Sequence, residues 1–270
     1  MLIDNIAATL TTLRERNPLV HNITNYVTVT DCANVQLALG ASPIMADAVE
    51  EMEEISAAAS ALVLNIGTLN PRAAEAMLCA GRSANARGIP VILDPVGVGG
   101  STLRNETVRR LLDEVQIAVL RGNAAEISFI GHRVSSVKGV DSASYSTLEE
   151  LEDITREVAR AHGCVVALTG AVDIVTDGTR LATIHNGTPL QARLTGMGCA
   201  TTALVGAWAA ATTDMLVAAA GGVLSMGIAG DIARERAGHI GLGSFHSAIL
   251  DALGNLDGTT LKERAKLHEN

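Results

Sequence analysis

Apolar residues recur along this chain in two rhythms, and their alternation lays out a fold. Ile3, Ile6, Leu10 and Leu13 fall three or four positions apart, the stripe of an amphipathic helix that packs on a sheet. A second helix is predicted over residues 30–39, with Gly40 supplying the left-handed exit common just past a helix end. After that, short apolar runs read as buried strands at 61–66, 91–93, 117–120 and 164–168. Helical stretches separate them. Asn70 and Pro71 start one that stops at Gly88, another runs through Leu112, a short one begins near Asn123, and 147–162 carries apolar positions at helical spacing. This succession predicts an α/β fold of parallel strands joined by crossover helices. At 172–184 two β-rich runs flank Asp177 and Gly178, the signal of a hairpin that adds an antiparallel edge. Beyond Cys199 the pattern reads as helical, and the polar stretch 132–146 reads as a long or mobile loop.

Composition narrows this picture. The hydrophobic fraction is 48% but only 2% of residues are aromatic, so the core must be built from Ala, Val, Leu, Ile and Gly, which lets helices and sheet approach closely. No linker interrupts residues 1–270, and a single domain is expected. A net charge of −9 argues against sequence-independent nucleic-acid binding, which needs clustered Lys and Arg. Cys32, Cys79, Cys164 and Cys199 show neither CxxC nor Cys/His spacing, so no zinc site or disulfide framework is indicated and a reducing cytoplasm is expected. The start of the chain carries Asp4 and lacks the basic and apolar regions of a signal peptide. Residues 194–213 are uncharged, yet their Thr, Gly and Ala content predicts a buried helix rather than a bilayer span.

Ligand sites in open α/β sheets lie beyond the carboxyl ends of the strands, and the polar residues of this sequence gather there. Asp47 follows Ile44 and Met45; Asn65, Gly67 and Thr68 follow Leu64; Asp94 follows Leu93; Arg121, Asn123 and Glu126 follow Leu120; Thr169 and Gly170 follow Leu168. The richest stretch is Leu194 to Thr202, where Gly196, Met197, Gly198 and Cys199 form a glycine turn feeding a helix. Free N–H groups of the first turn would cradle an anion such as a transferring phosphoryl group. Cys199, at the positive end of the helix, is expected to lose its proton readily and to draw a proton from a bound hydroxyl. The plainer reading is a tight helix start with a small buried thiol. Asp94 offers a hard oxygen for Mg²⁺ with Glu126 as partner; alternatively Asp94 forms a turn before Pro95, and Glu126 is a solvated helix carboxylate or caps a helix. Arg121 is a phosphate fork or a surface arginine, and Thr169 a phosphate donor or a turn residue. Asn25 orients a ligand or caps a helix, Met45 faces substrate or core, and His21 is read as structural. A thiol hydrolase using Cys199, and a binding protein without catalysis, remain rival classes.

These residues together resemble the hydroxyethylthiazole kinases, the thiamin-salvage branch of the ribokinase-like family. The likeness rests on His21-Asn22-Ile23-Thr24-Asn25, Gly40 to Met45, Asn65-Ile66-Gly67-Thr68, the loop from Asp94 to Gly99, Arg121 to Glu126, Thr169-Gly170, and Gly196 to Cys199. It implies a three-layer αβα fold and Mg²⁺-dependent transfer of the γ-phosphate of ATP to the hydroxyethyl group of 4-methyl-5-(2-hydroxyethyl)thiazole. It also implies a homotrimer with active sites at subunit boundaries. Carried over by motif, Met45, Gly196 and Asn25 contact the alcohol, Arg121 and Thr169 contact ATP, Asp94 and Glu126 serve Mg²⁺, and Cys199 stands at the catalytic position, where many ribokinase-like kinases have aspartate. Kinases for other alcohols, and the lyase branch that dehydrates hydrated nicotinamide cofactors, share the fold.

Overall fold

The computed structural model describes residues 1–134 and 147–269. Its strands are β1 (Leu19–Ile23), β2 (Ser42–Ile44), β3 (Ala61–Asn65), β4 (Val91–Asp94), β5 (Val119–Asn123), β6 (Val165–Thr169), β7 (Asp173–Thr176), β8 (Leu181–Ile184) and β9 (Leu267–Glu269). The helices are α1 (Leu2–Arg16), α2 (Val29–Leu39), α3 (Met52–Ala58), α4 (Pro71–Ala86), α5 (Thr102–Glu114), α6 (Ala124–Val134), α7 (Leu148–His162), α8 (Met197–Ala209), α9 (Met215–Ala237), α10 (Leu242–Gly254) and α11 (Gly258–Arg264).

One sheet runs in the order β2-β1-β3-β4-β5-β6-β7-β8-β9. Pairs from β2 to β6 are parallel and those from β6 to β9 antiparallel. The expected parallel sheet with an antiparallel edge hairpin is therefore present, and Gly178 turns that hairpin at φ 89°. Side chains leave a strand alternately to its two faces. In β3, Ala61 and Val63 enter a core shared with α1, α2, α8, α9 and α10, whereas Leu62 and Leu64 enter a second core shared with α3, α4, α5, α6 and α7. Two helical layers thus enclose the sheet. Small residues bring the layers close, as expected: a Cβ on Gly222 of α9 would lie 2.6 Å from the backbone nitrogen of Val205 in α8.

The uncharged stretch at 194–213 contains α8, buried from Ala200 to Ala209. Among the described residues one helix, Met215–Ala237, is long and apolar enough to cross a membrane, and 94% of its apolar window is buried inside the protein. The four cysteines are free.

The structure corrects the sequence reading in several places. β1 is a strand that the apolar rhythm did not announce, because two of its five residues, His21 and Asn22, are polar yet satisfied inside the core. Asn22 exchanges hydrogen bonds with Gln36 at 2.9 and 3.2 Å, and Gln36 donates to the Ala203 carbonyl at 2.7 Å. β5 starts at Val119 and continues to Asn123, since β6 pairs with it as far as Asn123 opposite Thr169. α3 and the short edge strand β9 were not anticipated, so the chain after Cys199 is not wholly helical. Of the stretch expected as a loop at 132–146, α6 takes residues through Val134, and 135–146 lie outside the described residues.

Candidate active site

The parallel register brings the predicted polar residues to one rim. Asn65 ends β3 opposite Asp94 at the end of β4, and Asn123 ends β5 opposite Thr169 at the end of β6. Over this rim stands the start of α8. Gly196 precedes it at φ 84°, a left-handed conformation that disfavours a side chain, and so offers no capping group to the first turn. The N–H groups of Met197, Gly198 and Cys199 are left for an anion. The Met197 side chain is buried, so this residue can serve an anion only through its backbone.

Arg121 completes the anion site. A Cβ on Gly198 would lie 2.7 Å from its Nη1, so the guanidinium rests directly on the glycine. Nη2 donates to the Thr169 hydroxyl, while Nη1 is 3.7 Å from Asp94 Oδ2. Nε is buried without a protein partner. Arg121, Thr169, Gly196 and Gly198 line a cavity of about 610 Å³ that extends past Thr188 to Met226.

Asp94 is fully buried. Its Oδ2 accepts from Asn65 at 2.9 Å and from the Thr202 hydroxyl at 2.7 Å, but its Oδ1 has no hydrogen-bond partner. Burial pushes its pKa up to about 6; Arg121, Thr202 and Asn65 oppose that rise and nearby Glu126 adds to it. Glu126 accepts from the backbone N–H of Gly97 and of Asn123, each at 2.8 Å, and donates its own N–H to Asn123 Oδ1 at 3.0 Å. This is a reciprocal cap that also anchors the loop after Asp94, and Glu126 is buried rather than the solvated carboxylate that was the other plain expectation. A hard cation suits this donor set. The orphaned Asp94 Oδ1 supplies a buried oxygen, and the Glu126 oxygens each retain a lone pair beyond the backbone bonds.

Cys199 lies beside this cluster. Asn25 Nδ2 is 3.2 Å from its Sγ and 3.1 Å from Asn65 Oδ1, and Asn25 Oδ1 accepts from the Thr28 hydroxyl at 3.0 Å. The expected acidification of the thiol is overturned. Burial and the charge of Asp94 raise the Cys199 pKa, outweighing the side chains of Asn65, Asn25 and Thr28, which favour the thiolate. Among the described residues, the side chains that set the Cys199 pKa are Asp94, Asn65, Asn25 and Thr28, not the imidazole with which a thiol hydrolase activates its nucleophile.

Met45 stands apart, just past the end of β2, the edge strand, and packs half-buried against the α8 and α9 side of the sheet. It does not line the cavity. Two residues near the site were missed by the sequence reading. Thr202 sits one turn beyond Gly198, on the helix face that meets Asp94. Asp173 opens β7, lines the cavity and accepts from the Gly170 N–H at 2.9 Å; burial raises its pKa to about 6 against the pull of Arg121. Spacing reveals Thr202 once α8 is placed, but nothing local marks Asp173.

Comparison with known proteins agrees with this geometry. A family model described as the hydroxyethylthiazole kinase family matches residues 10–259. A hydroxyethylthiazole kinase of Ruminiclostridium cellulolyticum is 52% identical over 266 residues, covering 98% of this chain and 97% of that protein. The structure of a hydroxyethylthiazole kinase protein from Pyrococcus horikoshii is similar at a TM-score of 0.90 with 39% identity, covering 98% of this chain and 99% of that one. A ribokinase-like superfamily protein from Enterococcus faecalis shares the fold at a TM-score of 0.62 and 13% identity, covering 94% and 88% of the two chains. The sheet is thus a ribokinase-like one, and the chain belongs to the hydroxyethylthiazole kinase family.

Proposed function

We propose that this protein transfers the γ-phosphate of ATP to the hydroxyl of 4-methyl-5-(2-hydroxyethyl)thiazole, giving the thiazole phosphate used in thiamin salvage. The observation that carries the reading is the uncapped start of α8 with the Arg121 guanidinium resting on Gly198. Together they form a positive, partly buried cradle at the strand ends.

Triphosphate lies in the cavity, with Arg121 and Thr169 on its oxygens and the amides at 196–199 around the migrating group. The Arg121 Nε and the N–H groups of α8 gain there the acceptors they lack. Asp94 and Glu126 would hold Mg²⁺, which when bound would supply charge neutralisation at the phosphate oxygens. Asn25, Met45 and Gly196 meet the alcohol. Its oxygen bonds to phosphorus as the bond to the bridging oxygen of ATP breaks and ADP departs, and its proton passes to Cys199 Sγ in the thiolate form. Phosphoryl transfer has a loose transition state, so positioning and charge neutralisation outweigh the base. This accords with a thiol whose pKa is raised.

Residues 1–270 act as one kinase domain in the cytoplasm, whose reducing medium suits four free cysteines. Three chains assemble so that the alcohol site lies at a subunit boundary. Tyr26 and Val27, next to Asn25, and Leu37 on α2 support this, being large apolar side chains 77%, 58% and 58% exposed. Incubation with ATP, Mg²⁺ and the thiazole alcohol should give the phosphate ester and ADP in equal amounts. Absence of the ester would defeat the proposal, and a monomer in sedimentation equilibrium would defeat the trimer.

A further inference from the structure

His21 is fully buried in β1, yet it is engaged at both ring nitrogens. Nε2 lies 2.9 Å from the carbonyl oxygen of Ala46, and Nδ1 lies 3.3 Å from the hydroxyl of Ser56, itself buried in α3. A carbonyl only accepts, so Nε2 carries the proton; Nδ1 then has a lone pair and accepts from Ser56. Burial lowers the His21 pKa, against the Ala46 carbonyl and Glu51, and so favours the neutral ring.

The Ala46 carbonyl lies where the sheet stops guiding the chain. The β1–β2 ladder ends with His21 opposite Ile44, and Met45 and Ala46 lie beyond its last rung. Met45 packs against one core and Ala46 against the other. His21 therefore reaches past the last rung from a strand that is hydrogen-bonded on both sides, and ties down the segment that carries Met45.

We infer that His21 is a positioning residue for alcohol binding: its Nε2–H fixes the Ala46 carbonyl and thereby the place of Met45 at the rim. The inference rests on the reading above that Met45 meets the alcohol. Ser56 orients the ring, so the unit is Ser56–His21–Ala46, separate from the side chains that face phosphate. A residue that only stabilised the fold would affect both substrates together, whereas this one acts on the alcohol.

The test compares the full-length wild type with His21→Leu, His21→Gln and Ser56→Ala. Calorimetric titration with the thiazole alcohol gives Kd, and steady-state assays give KM for each substrate and kcat. Leucine fills the volume without a donor, and glutamine places an amide N–H near the position of Nε2. His21→Leu should weaken alcohol binding about tenfold while ATP KM stays within about twofold, and His21→Gln should recover most of that loss. Ser56→Ala should weaken alcohol binding about threefold, and it carries the test if His21→Leu fails to fold. Nitrogen NMR of the wild type should show the Nε2–H tautomer.

Unchanged alcohol Kd in His21→Leu overturns the inference, as do equal losses for both substrates, a glutamine variant no better than leucine, or the Nδ1–H tautomer. A wild type that binds the alcohol but makes no ester refutes the kinase reading and leaves the His21 result standing on the titrations. A wild type that does not bind the alcohol refutes both.

Discussion

Arg121 lies against Gly198 so closely that a Cβ on the glycine would come within 2.7 Å of Nη1 and 3.0 Å of Nη2. The absence of a side chain at 198 is therefore what lets a strand residue and a helix terminus serve one anion. Gly198→Val places a branched side chain where the guanidinium sits. Activity should fall about a hundredfold or more, mostly as weakened ATP use, with the far-ultraviolet spectrum unchanged. Gly198→Ala should fall between. Wild-type kcat/KM for ATP in the valine variant would sink this account of the loop.

Much of that arrangement was legible in the sequence. The strands β3, β4 and β6 announce themselves as unbroken apolar runs, and each ends on a polar residue that register then brings to one rim. What stayed hidden depends on contacts distant in sequence. His21 and Asn22 interrupt an apolar run and mask β1, because their partners Ala46, Ser56 and Gln36 lie elsewhere along the chain. Helical spacing puts Thr202 on the face of α8 below Gly198, but its partner Asp94 lies 108 positions away and is met only in the folded chain. The Cys199 thiol misled for a related reason. Helix position is read from sequence, while the burial and the Asp94 charge that raise its pKa exist only after folding.

Asp94 should cost stability when ionised. Its folded pKa of about 6 exceeds the ordinary carboxylate value of ~3.9, so the native state holds the proton more tightly than the unfolded chain. Its contribution is thus most favourable below about pH 4 and is lost as pH rises through about 6. A two-unit difference corresponds to about 3 kcal/mol. Asp94→Asn should therefore raise the melting temperature of the ligand-free protein at pH 8 by about 5 °C, with the gain shrinking at pH 4.5, while kinase activity collapses. Calorimetry at the two pH values checks this, and equal gains at both would exclude Asp94 as the titrating group.

Gly196 combines a positive φ of 84° with close neighbours, since a Cβ there would meet Thr28 Cγ2 at 2.2 Å. Gly196→Ala should cost about 3 kcal/mol, divided between left-handed backbone strain and overpacking. Thr28→Ser deletes the offending methyl yet keeps the hydroxyl that donates to Asn25 at 3.0 Å. In urea unfolding the double variant should regain about half of the loss. No recovery would mean that backbone strain accounts for the whole effect.

Cys199 presents a different balance, because its pKa is raised and at neutral pH most of the thiol keeps its proton. If the thiolate accepts the alcohol proton, wild-type kcat should climb with pH between about 7 and 9, above the range where Asp94 titrates. Cys199→Ala removes the acceptor but leaves the amides of α8 and Arg121 in place. It should retain about one-tenth of the neutral-pH rate and lose the climb. Cys199→Asp supplies a base ionised at neutral pH, although beside the charge of Asp94, and should keep activity at or above wild type with a flatter profile. The decisive measurement is kcat against pH for the three proteins. A profile in Cys199→Ala that rises in parallel with wild type would remove the thiol from proton transfer and leave it the task of placing Asn25, to which it lies within 3.2 Å.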